Sequence, residues 1–153
     1  MIHPQKATLT KQALINAPTP KVWSTLANPE QIKLWMLDTE VEIISDWKVG
    51  RSIVFRGDLH GLAFENKGVI LQYMPDQILE YTFWSTLSEL PDAAENYSVI
   101  RFVLTELGNQ TLVTLTLSNL INYIILKHHE FYWGVTLNEI KKLIELSSED
   151  SKI

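Results

Sequence analysis

The chain has 153 residues, 46% of them hydrophobic and 20% charged, the composition of one folded domain and not of a disordered segment. It contains no cysteine, which excludes disulfides, thiolate metal sites and cysteine nucleophiles. A net charge of −5 argues against a sequence-independent grip on nucleic acid, which needs a basic surface to displace counterions.

The N-terminal residues Met1 to Thr10 show no apolar run of the secretory type. The longest uncharged apolar stretch, Leu112 to Leu126, is broken by Thr114, Thr116, Ser118, Asn119 and Asn122 and is too short to span a bilayer. A single cytoplasmic domain over residues 1–153, with no membrane span, is the expectation.

Gln5 to Ala17 alternates loosely up to Pro18, the pattern of an edge strand. Thr19-Pro20 predicts an N-cap followed by proline, opening a short helix through Val22, Trp23 and Leu26. Asn28-Pro29-Glu30-Gln31 repeats the device, with Gln31 placed for a capping box, and predicts a second short helix closed by Trp35 and Met36. From Thr39 to Ser118 the hydrophobic period is two. Strands are predicted around Val41–Ile43 and Ile53–Phe55, over Gly68–Met74 and Ile78–Trp84, and over Tyr97–Leu107 and Thr111–Ser118. Turns fall at Val49-Gly50, Gly57–Gly61 and Gly108–Gln110, and a long polar loop at Ser85–Asn96. Ile100, Phe102 and Leu104 share a face, as do Val113, Leu115 and Leu117, so one face of the sheet is covered and the other wet. The period then returns to 3.6. Leu126, Trp133, Leu137, Ile140 and Ile144 mark the apolar face of a helix of some twenty residues, about 30 Å long, before a frayed tail at Ser147–Ile153. With no other long element available, this helix must lie across the sheet.

Catalytic and metal motifs are absent. Asp58 and His60 have the same strand parity but flank a glycine-rich turn, which reads as a solvated hairpin tip. His128-His129-Glu130 are adjacent, and neighbours on a helix diverge by about 100°, so they read as residues of the helix start and not as a metal site. No cofactor motif is present. The five Trp, five Tyr and five Phe are more informative. Trp35, Trp84, Tyr97 and Trp133 are candidates to wall a pocket, facing Phe55, Tyr81, Phe83 and Phe102 from the sheet and Leu137 from the helix.

Several short stretches, in order, carry a resemblance. They are Asn16-Ala17-Pro18 with Val22-Trp23, Asn28-Pro29-Glu30 with Trp35, Trp47-Lys48-Val49-Gly50, and Gly68-Val69-Ile70-Leu71. Leu90-Pro91-Asp92, Glu95-Asn96-Tyr97 and Trp133-Gly134 with Leu137 complete the set. From Leu14 to Glu145 the chain resembles the START-like (SRPBCC) superfamily, in the branch of the heat-shock-protein ATPase activators (Aha-type). The resemblance implies an α+β helix-grip fold, a curved antiparallel sheet wrapped round a long C-terminal helix with a cavity between them. It does not imply one activity, since relatives include lipid carriers, cyclases, receptors and chaperone co-activators. The apolar approach to the last helix, Leu120 to Leu126, departs from the more polar segment of that branch. Three readings follow. The first is a domain binding a small apolar molecule of fatty-acid-like or flat aromatic type. The second is an interaction module for a heat-shock chaperone, and the third a cyclase- or hydrolase-type enzyme using Glu65 or His60 near the cavity mouth.

Overall fold

The computed structural model describes residues 7–36 and 40–150, without the side chains of 148–150. Strand β1 (Ala7–Ile15) leads into helices α1 (Thr19–Ala27) and α2 (Pro29–Ile32). Strands β2 (Val41–Ser45), β3 (Ser52–Leu59), β4 (Leu62–Met74), β5 (Ile78–Ser85), β6 (Ser98–Leu107) and β7 (Gln110–Leu120) follow, and helix α3 (Tyr123–Asp150) ends the fold. All seven strands form one antiparallel sheet in the order β1-β7-β6-β5-β4-β3-β2, with the first strand on an edge. This is the α+β helix-grip arrangement expected from the sequence.

Local chemistry sets the boundaries, and several differ from the sequence reading. Pro18, not Thr19, is the N-cap of α1. Asn28 does cap α2, its Oδ1 accepting from Glu30 N–H at 3.0 Å. Its own N–H already donates to Ser24 O, because α1 runs directly into the cap, so a capping box has no donor left for Gln31 to satisfy. The helix stops at Ile32, and Trp35 and Met36 are buried beyond its end. The β3–β4 connection is tighter than a five-residue turn. His60 and Gly61 alone turn the chain, both at positive φ (53° and 91°) as a two-residue hairpin requires. Asp58 Oδ1 accepts from Gly61 N–H at 2.6 Å.

Strand β4 begins six residues before the expected Gly68. A Cβ there would lie 1.7 Å from the Thr82 carbonyl oxygen, so only glycine permits β4 and β5 to approach this closely. Val69 N–H donates to Thr82 Oγ1 at 2.8 Å instead of joining the ladder, and the register slips between Ile70 and Gln72. Such a slip adds twist to the sheet locally.

Helix α3 has 28 residues, about 42 Å, eight more than predicted, because it starts at Tyr123 and runs on through Ser147 to Asp150. The expected frayed tail is therefore helical as far as Asp150, and 151–153 lie outside the described residues. Asn122 Oδ1 accepts from Ile125 N–H at 2.8 Å in the first turn. Trp133, Leu137, Ile140 and Ile144 are buried against the sheet's inner face, where Phe55, Ile70, Leu79, Phe102 and Leu115 also lie. The far half of the helix is tied to β1, with Asn16 N–H donating to Glu145 Oε2 at 2.8 Å and Lys141 Nζ to Leu14 O. A straight helix pinned there does not follow a curved sheet along its whole length. The gap opens under its first three turns.

Candidate functional site: a cavity between sheet and helix

A cavity of about 330 Å³ occupies that gap. From α3 it receives Ile124, Ile125, His128, His129, Tyr132 and Trp133. The sheet supplies Leu59, Phe64, Asn66, Tyr81, Phe83 and Ser98. Register explains the shared wall, since Asn66 stands opposite both Phe55 and Ser85 across its two ladders and opposed residues share a face. The end of β5 gives Trp84 and Ser85, the β5–β6 connection adds Leu87, Ser88 and Asn96, and Met36 closes the side towards α2. Exposed apolar side chains, Leu87 and Ile124, rim the mouth.

The β5–β6 connection is held in place by a cluster on the mouth's outer side. Asp92 accepts from Lys67 Nζ and from Tyr97 Oη, each at 2.6 Å. The lysine, and then the tyrosine hydroxyl, hold the Asp92 carboxyl below its usual range. Trp84 Nε1 donates to Leu90 O at 3.2 Å, its ring stacks on Tyr97 at 6.3 Å, and Lys67 lies over it at 5.6 Å.

Inside, the polar groups are few and buried. Tyr132 Oη donates to Met36 O, and burial pushes its hydroxyl pKa up to about 12. Burial also raises that of Tyr81. His129 is 7% exposed and packs edge-on to Phe83 at 5.7 Å. Desolvation first, and then the neighbouring His128, lower its pKa to about 4, so it is neutral at pH 7. Among the described residues, three buried side-chain atoms have no hydrogen-bond partner, Asn66 Oδ1, His129 Nδ1 and Trp133 Nε1, and all three residues contribute to this cavity's lining.

Of the nine residues singled out in the sequence, Tyr81, Phe83, Trp84 and Trp133 line the cavity. The other five do not. Trp35 packs on Trp133 at 6.1 Å with its own Nε1 donating to Thr25 O, and Phe102 meets Trp133 at 5.6 Å. Phe55 lies beside Tyr81 at 6.1 Å, and Tyr97 belongs to the outer cluster. Leu137 sits one turn past Trp133, beside Lys11, Ala13 and Lys141 over β1, because the helix has closed on the sheet by then. The sequence reading did not single out Asn66 and gave His129 to the helix start, not to the pocket. His129 is four residues before Trp133, in the same helical row, which is the signal that places it inside. The His128–His129 pair therefore does not sit at the helix start but in its second turn. Glu65 and His60 do not enter the cavity. Glu65 pairs with Arg56 at 2.8 Å on the opposite face of β4, and His60 is exposed at the hairpin turn. Among the described residues no cluster of three His, Asp or Glu could hold a metal ion, and no helix is long and apolar enough to cross a membrane.

A seven-stranded curved sheet gripping a long helix over a cavity is the architecture of the START-like superfamily. The family model described as "Activator of Hsp90 ATPase homolog 1-like protein" matches residues 16–145, and the chain belongs to that family. Among solved structures, a protein from Cytophaga hutchinsonii is 39% identical with a TM-score of 0.81, over 95% of this chain and 99% of that one. The Aha1 dimer from Colwellia psychrerythraea shares the fold at 22% identity and TM-score 0.72, over 91% and 96% of the two chains. A protein from Chromobacterium violaceum does so at 17% and 0.78, over 90% and 96%. No curated protein matches the chain.

Proposed function

We propose that this domain binds a small hydrophobic molecule in the cavity between sheet and helix and does no chemistry on it. The observation that carries this reading is the cavity itself, about 330 Å³ with aromatic and aliphatic walls and a few polar residues, such as Ser98 and Asn96, in its lining. Ligand sites of about 300–1,000 Å³ combine an apolar lining with a few placed polar groups, and an unfilled apolar void lowers stability in proportion to its volume. Among the described residues, the lining contains no Asp, Glu, Lys or Arg. Its one histidine able to act as a buried base has its pKa near 4, a poor match to proton transfer at neutral pH. A neutral fluorophore, N-phenyl-1-naphthylamine, should bind the native protein saturably with a blue-shifted emission. Ser98 is small, buried and in the wall, so Ser98→Phe should fill the space and abolish the signal while the far-UV spectrum is retained. Equal fluorescence from both proteins would refute the reading.

A second reading rests on a different surface. Phe131 and Val135, four residues apart on α3, are 76% and 50% exposed, and a chaperone-interaction module would present such a stripe. Stimulation of a heat-shock ATPase by this protein, lost in Phe131→Ser with phenylnaphthylamine binding intact, would support it. An ATPase rate unchanged by the protein would remove it.

A further inference from the structure

Purely apolar walls would select a ligand by size alone, but three residues interrupt them. Tyr81 and Ser98 line the cavity at 4% and 6% exposed, and His129 is as deeply buried. Among the described residues, no protein group bonds to the Tyr81 hydroxyl, the Ser98 hydroxyl or His129 Nε2. None of these three atoms is sealed into the wall as Asn66 Oδ1, His129 Nδ1 and Trp133 Nε1 are, so each opens on the cavity. Neighbouring hydroxyls are already taken. Tyr132 Oη donates to Met36 O, and the oxygens of Ser85 and Ser88 accept from Leu87 and Leu90 N–H. The three free groups surround Phe83. Ser98 is its cross-strand partner, Tyr81 lies two residues before it on the same face, and the His129 ring packs on it at 5.7 Å. All three can donate a hydrogen bond, and a buried donor left without an acceptor is costly. Tyr81 carries its donor on the longer of the two side chains from the sheet. The mouth, rimmed by Leu87 and Ile124, is apolar, so a matching ligand has its oxygen inward and its hydrocarbon outward. Among the described residues no cation lines the space to balance a carboxylate, which leaves a ketone or an alcohol. An apolar cavity of about 150 Å³ takes one benzene ring, so 330 Å³ suits about two.

We propose that the cavity takes an apolar molecule of about two rings head-first, its inner ketone or alcohol oxygen accepting from the Tyr81 hydroxyl beside Ser98 and His129. This rests on the binding reading above and deepens it by naming the group that orients the ligand. Two naphthalenes of nearly one shape test it, 2-acetylnaphthalene and 2-isopropylnaphthalene, each displacing phenylnaphthylamine from the unsubstituted protein and from Tyr81→Phe. In the variant the ketone should lose about three- to tenfold more affinity than the isopropyl compound, the size of one hydrogen bond. The carbonyl stretch of the bound, carbon-13-labelled ketone, read by infrared difference spectroscopy, should move to higher frequency in the variant. Equal losses of the two compounds, or a stretch that does not move, overturn the inference, because the oxygen then lies elsewhere. Without ligand, Tyr81→Phe should be at least as stable as the unsubstituted protein, since it removes a hydroxyl that has no partner. A variant that is less stable, or does not fold, shows that hydroxyl bonding within the protein and overturns the inference as well. Phenylnaphthylamine binding that neither naphthalene displaces overturns this inference and leaves the binding reading standing. No binding of phenylnaphthylamine removes the binding reading, and this inference with it.

Discussion

Acidification from pH 7 to pH 5 should destabilise the domain by about 2 kcal/mol through His129 alone. The ring is buried between α3 and the sheet, edge-on to Phe83 and one helical turn from Trp133, with His128 the titratable group whose charge acts on it. Its pKa is lowered to about 4, against about 6.5 in an unfolded chain. The folded state therefore refuses a proton that the unfolded state accepts. The stability due to the neutral ring is complete above pH 6.5, falls as the pH drops, and is wholly lost below pH 4. A difference of about 2.5 pKa units is worth about 3 kcal/mol in full, of which about 2 is lost between pH 7 and pH 5. Urea denaturation at pH 7, 6 and 5 measures it, with His129→Phe as the comparison. Carboxylates with lowered pKa, such as Asp92 and Glu145, titrate lower and act alike in both proteins. The difference between the two profiles thus isolates the imidazole. Parallel losses of stability in the two proteins from pH 7 to pH 5 would refute the reasoning.

Trp133→Ala should cost about 3–5 kcal/mol, because a buried indole in contact with Trp35, Phe102 and Tyr132 leaves a void when removed; an unchanged urea midpoint at the same m-value would contradict this. Gly68→Ala should lower stability by about 3 kcal/mol or more, since the added methyl meets backbone 1.7 Å away and the strand must shift, read as a lowered melting temperature. Thr111→Val should cost about 1–2 kcal/mol, as Thr111 is fully buried and its hydroxyl donates to Ala17 O at 2.8 Å, measured by denaturant titration.

Periodicity alone determined most of the architecture. The switch from period two to 3.6 after Leu120 separates sheet from long helix, and one-sided strands such as Ile100–Leu104 require an element across their inner face. Pro20, Pro29 and Asn28 mark the two short helices, and the aromatic surplus points to a pocket. These signals are local, carried by spacings of two to four residues, and so survive in the bare sequence. Where the pocket lies was decided by tertiary structure. The close strand approach at Gly68 depends on Thr82, a strand away. The pinning of Glu145 and Lys141 to β1 spans more than 120 residues. Together they close the helix on the sheet at Leu137 and lift it at His129. Trp35, Phe55 and Phe102 are consequently core, and the ionisable ring that looked like part of a helix start lies inside the cavity. Burial of that ring, and the missing partners of Asn66 and Trp133, are properties of how distant elements meet, and no local pattern encodes them.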